Sequence, residues 1–191
     1  MILFLNHGGQ VPATATTAIA ALYLFAGLLA LAPRKPGYSH LRHSISEIGE
    51  TGAPDQRFVA FGLFLPVGLA LLPVAWLVRP ALPAAAALAL CIAIGYIGAA
   101  AFPCDRGSPL SGTPRQAVHN LAGGVEYIGG GFALMALSGT LGQPFKLAGF
   151  IVLGAAIAIS VVPSSPVRGL IQRIAEICLF GGLAMASWRV A

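Results

Sequence analysis

The stretch "PAAAALALCIAIGYIGAAAF", residues 83–102, runs twenty residues without a charge. About 20 residues at a rise of about 1.5 Å each cross the hydrocarbon core of a bilayer. In lipid every backbone polar group must be paired internally, so such a stretch has to be helical. A β-barrel needs short alternating strands, and this segment does not alternate. Six segments of spanning length are present, at roughly 12–33, 56–78, 81–102, 116–138, 145–163 and 169–189. The expected fold is therefore all-α: a polytopic membrane protein whose 191 residues form one six-transmembrane-helix bundle. Pro66 and Pro73 fall inside the second span and should bend it.

Composition supports this class and excludes others. The mean hydropathy is +0.84, and only 9% of residues are charged, most of them between the apolar segments. The net charge of +5 arises from basic residues scattered singly at segment ends. That placement signals topology, not a phosphate-binding patch, so nucleic acid is excluded as a partner and membrane lipids are expected. Cys91 and Cys178 lie in apolar runs and Cys104 at a segment end, without the spacing of a disulfide framework or zinc site. The opening "MILFLNHGGQ" has no basic n-region or small-residue cleavage pattern, so no cleaved signal peptide is expected.

Arginine and lysine orient the bundle. The first, third and fifth loops carry Arg34, Lys35, Arg42, Arg57, Arg106, Arg115, Arg168 and Arg173, against Arg79, Lys146 and Arg189 opposite. Positive-inside logic places the odd loops in the cytoplasm and both termini outside a cytoplasmic (inner) membrane.

The polar residues that could carry chemistry gather on the odd-loop face. In "HSISEIGE", residues 43–50, Ser44 and Glu47 have the spacing of a capping box. Gly49 could end that turn, with Ile45 and Ile48 on its apolar side. His40 and His43 have HxxH spacing, a weak metal signal, and His43 could pair with Glu47. The third span closes in "FPCDRGSP", where Asp105 is either a solvated loop residue or is turned by Pro103 into the bundle mouth. In the fourth span His119 and Glu126 are seven residues apart, about 700° around a helix, so they share a face. Gly123 and Gly130 lie near that face, and the stripe either admits a close-packed helix or lines a polar cavity. Glu126 falls near mid-span, where an ionisable residue is a functional candidate by default. Arg173 and Glu176 are three apart and can pair along one helix face.

The order "SISEIG" after the first span, "FPCD" closing the third and "HN" opening the fourth resembles the bacterial integral-membrane family called domain of unknown function 998. The likeness covers nearly the whole chain and implies six helices, with no activity assigned. It points to Ser46, Glu47, Gly49, Pro103, Asp105, His119 and Asn120, and not to His40 or His43. The segment "SISEIGETGAPDQRFVAFG" is also similar to the "ISD-x-G" region of DRAM/Sfk-type six-span proteins, associated with lipid handling and autophagy.

Three functions fit these residues. The chain could bind or move a lipid or small ligand at a polar site on one membrane face, with Arg42, Arg106 and Arg115 for phosphate and Asn120 and Glu126 as further contacts. It could be an intramembrane hydrolase, His119 acting as base toward water or Ser46, with Asp105 or Glu47 orienting the ring. A metal-dependent form would use His119, Asp105 and Glu47 as ligands. Lastly, it could be a structural or accessory membrane protein. No nucleophile elbow, HExxH or HxxxH motif is present, and six spans without a repeat make a poor carrier.

Overall fold

The computed structural model describes residues 10–162 and 165–189. The expectation about a signal peptide rests mainly on residues 1–9, outside the described residues. Six helices are long and apolar enough to cross a membrane. They are α1 (Gln10–Leu31), α2 (Gln56–Val78), α3 (Pro83–Ala101), α4 (Pro114–Leu141), α5 (Gln143–Val161) and α6 (Arg168–Arg189). No strand occurs among the described residues. Each helix packs on the next, α6 returns to α1, and α3 and α4 both reach α6. Alternating passes leave the α1–α2, α3–α4 and α5–α6 connections at one end. There Thr51 N–H donates to Cys104 O (2.9 Å) and Leu170 N–H to Leu41 O (3.0 Å).

Local chemistry explains the helix ends. Prolines stand in the first turn of α3, α4 and α5, where no intrahelical N–H is needed. Thr113 caps α4, its hydroxyl accepting from Gln116 N–H at 3.2 Å. Gly142 joins α4 to α5 at φ +96°, a conformation that side chains strain to adopt. In α2 a π-helical stretch over Val59–Phe64 precedes Pro66. Pro66 has no N–H for the carbonyl of Gly62, and the Tyr23 hydroxyl of α1 donates to that carbonyl instead.

The core is a column of aliphatic side chains, among them Leu28, Leu63, Leu88, Ile92, Leu134 and Leu179. Equally apolar residues point outward: Leu22 is 70% exposed, and Trp76, Phe132, Ile157 and Ile177 are also exposed. Helices hydrophobic all round suit lipid, not water. Between α4 and α5 the backbones approach at Gly131 and Gly149, where a Cβ on Gly149 would sit 2.8 Å from the Gly131 carbonyl oxygen.

Candidate functional site

The loop end is a polar clasp of hydrogen bonds and ion pairs. Ser44 N–H donates to Glu47 Oε1 at 2.7 Å and Glu47 N–H to Ser44 Oγ at 3.3 Å, the reciprocal bonds of a capping box. The turn it opens, Ser46–Gly49, is a 3₁₀ turn that buries Ile48 beside Ile45. Arg168, at the start of α6, lies 3.6 Å from Glu47 Oε1. Its Nη1 and Nη2 donate to the carbonyls of Gly107 (3.0 Å) and Ser108 (2.7 Å). Both residues are left-handed, φ +77° and +45°, which turns consecutive carbonyls toward one guanidinium. For a serine that conformation costs roughly 1–2 kcal/mol. Glu50 accepts from Gly107 N–H (2.6 Å) and pairs with Lys35 (2.8 Å), whose ammonium also reaches the Glu47 carbonyl. Burial pushes the Cys104 thiol up to about 12, so this cysteine is an inert packing group whose Sγ donates to Ser46 O.

Several pairings differ from those the spacing suggested. His43 does not pair with Glu47; its Nδ1 accepts from Ser39 N–H (2.9 Å). Arg173 does not pair with Glu176. Its guanidinium turns into the first loop, donating to Tyr38 Oη (2.7 Å), His43 O (3.1 Å) and His40 Nδ1 (2.9 Å). Glu176 receives two tyrosine hydroxyls instead, from Tyr96 (3.0 Å) and Tyr127 (2.5 Å). Asp105 does not turn toward His119. Its carboxylate accepts from Thr113 N–H (2.8 Å), Thr113 Oγ1 (3.0 Å) and Arg115 Nη2 (2.7 Å) at the positive end of α4. The Thr113 amide, then Arg115, holds that carboxyl below the usual range.

His119 is instead oriented by the Phe102 carbonyl, 2.9 Å from Nδ1. A carbonyl only accepts, so Nδ1 carries the hydrogen and Nε2 is left as an acceptor. Among the described residues no serine donates to His119, and no three His, Cys, Asp or Glu side chains are placed to share a metal ion.

A cavity of about 270 Å³ opens beneath the clasp. Of the candidate catalytic and binding residues read from sequence it collects Ser46, His119, Asn120 and Glu126, with Ser44 beside them. Glu47 and Arg42 line a second depression with His43, on the other side of Arg168. Asp105, Arg106 and Arg115 line neither. Gly123 and Gly124 line the cavity with nothing within 4 Å of an added Cβ, whereas Gly130 packs against Leu179 and Leu88. The stripe thus has both expected uses, in different turns. Glu126 stands in a π-helical turn, Val125–Gly129, an irregularity frequent at functional sites.

Arg168, Gln172, Tyr127 and Glu176 were not singled out as site residues from the sequence. Arg168 carried a usable signal: a cation in the first turn of a helix opposes the macrodipole and needs another partner. Glu176 was masked by the arginine three residues before it.

No curated protein and no solved structure matches the chain, and nothing in the comparisons bears on the likeness to DRAM/Sfk-type proteins. The family model described as "Protein of unknown function (DUF998)" matches residues 18–189, nearly the whole six-helix bundle, and the chain belongs to that family.

Proposed function

We propose that the protein binds an amphiphile of the surrounding membrane in this cavity, its polar end under the loop clasp and its chain between α4 and α5. One observation carries this reading. The same cavity joins polar groups at its top (Ser46, His119 and Asn120) to an apolar wall of Ile128, Ala156 and Ile159. Ile128 is itself 50% exposed on the outside of the bundle, where lipid tails would lie. At about 270 Å³ the space suits a headgroup with the first part of a chain. Within this reading His119 Nε2 accepts from the headgroup, and Arg42, Arg106 and Arg115 act only as outer attraction for phosphate. The basic excess of the odd loops supports a cytoplasmic clasp in the inner membrane.

Lipid that copurifies with the protein, identified by native mass spectrometry, tests the reading. A Cβ on Gly123 would meet nothing within 4 Å, so Gly123→Leu should extend into the cavity. It should keep the parent's melting temperature and lose bound lipid at least about tenfold. A filled variant that still carries lipid would sink the proposal. Sidedness is tested separately, by reporter fusions at residue 110 and after the C-terminus, expected to report cytoplasm and exterior respectively.

The hydrolase reading keeps one support, the His119 tautomer that leaves Nε2 free to take a proton. Release of a cleaved chain from a labelled phospholipid, abolished by His119→Ala, would favour it over simple binding.

A further inference from the structure

Two carboxylates are buried at membrane depth with no cation beside them. Glu176, 1% exposed, accepts a tyrosine hydroxyl on each oxygen. Glu126, 6% exposed, lies against the backbone of Gly95, where an added Cβ would run into its carboxylate. Its Oε1 has no hydrogen-bond partner. Consecutive residues tie the two acids together. On α3, Gly95 meets Glu126 and Tyr96 meets Glu176. On α4, Glu126 is followed by Tyr127, which also meets Glu176. Neighbouring residues on both α3 and α4 thus meet the two acids.

The titratable groups facing this pair supply no ion pair: the positive charge of Arg173 acts on Glu176 without touching it. Cys91 and Tyr96 come from α3 and Tyr127 from α4, and all are neutral acids. The guanidinium of Arg173 on α6 is turned into the first loop. Two like charges without a paired counter-ion in a low-dielectric interior repel too strongly for both to be ionised.

We infer that Glu126 and Glu176 form a proton-binding site at the floor of the cavity, holding one proton between them, with that proton on Glu126. Two O–H donors suit Glu176 as the anion, whereas Glu126 has no donor on Oε1 and borders open space. The proton arrives from hydronium in cavity water and leaves by the same route. While it is bound, Glu126 presents an O–H donor, so this end of the cavity takes an oxygen acceptor and not an ammonium group. The inference holds whether or not an amphiphile fills the space above.

Infrared spectroscopy at neutral pH, in an ester-free detergent, tests it. The parent should show the C=O stretch of a carboxylic acid, shifted on transfer to D2O because the cavity admits solvent. Glu126→Gln should abolish the band, since a lone Glu176 with two donors ionises, and Glu176→Gln should retain it. Absence of the band from the parent would overturn the proposal, as would its survival in Glu126→Gln. Loss of the band on adding sodium ions would also overturn it, by assigning the pair to a metal cation. Should a glutamine variant fail to fold, the parent's band and its D2O shift still decide. The other four carboxylates are ion-paired at the loop end.

Discussion

The loop end and the interior of the bundle treat their carboxylates in opposite ways. At the loop end Asp55, Glu50, Asp105 and Glu47 each have a cation within reach, at 2.7, 2.8, 2.7 and 3.6 Å. In the interior Glu126 and Glu176 have none. Near water, opposite charges are plentiful and pairing is cheap to arrange. At membrane depth a second charge would itself have to be desolvated, so hydroxyls and protons take its place. The dense polar motif is therefore a clasp, and the isolated acids inside apolar runs mark the open chemistry.

Arg168→Ala should give the largest effect that this contrast predicts. It strands Glu47 and unbinds the two left-handed carbonyls at 107 and 108. Breaking a buried pair from one side costs roughly 3–5 kcal/mol. The thermal midpoint in detergent should fall steeply and the first and third loops should become protease-sensitive. A variant as resistant as its parent would mean that the clasp is ornamental.

A matched pair of substitutions sharpens the point. Glu47→Gln weakens one ion pair and one charged hydrogen bond, and should destabilise by about 1–2 kcal/mol. Glu126→Gln keeps shape and removes a costly acid with no partner on Oε1, so its midpoint should equal or exceed the parent's. Greater damage from Glu126→Gln than from Glu47→Gln would break the comparison.

These positions also show what the sequence made legible. Six spans follow from hydropathy because lipid permits only helices there, and the capping box follows because Ser44 and Glu47 meet within one turn. Pairings across the bundle were hidden. Arg173 has an acid three residues away on its own helix, yet the first loop supplies three better acceptors. Asp105 sits two residues after a helix-breaking proline, yet the free amides and positive pole of α4 claim its carboxylate. Spacing along a chain registers neighbours within a turn; it carries no record of which partner from another element arrives first. The cavity was half legible: the shared face of His119 and Glu126 was readable, whereas the part played by Arg168 was not.

The smallest expected effect is a dependence of stability on mild acid, confined to the loop end. His40 Nδ1 accepts from Arg173 Nη2, so a proton there would replace an acceptor with a donor aimed at a guanidinium. Burial first, and the Arg173 charge second, hold His40 below its ordinary value of 6.5. The folded state therefore binds this proton less readily than the unfolded chain does. The stabilisation is complete above the ordinary value and is lost as pH falls through the folded one. Asp105 follows the same sign at lower pH, its contribution present above the usual carboxylate range and lost as its depressed value is crossed. Midpoints measured from about pH 8 down to about pH 5 should decline slightly in the parent, because partial exposure screens the effect. The decline should flatten in His40→Asn, where this ring no longer titrates, and lessen in Arg173→Gln, where burial alone still opposes the proton. Equal slopes in all three proteins would detach acid sensitivity from the clasp and move it to the buried pair of carboxylates, the other side of the comparison.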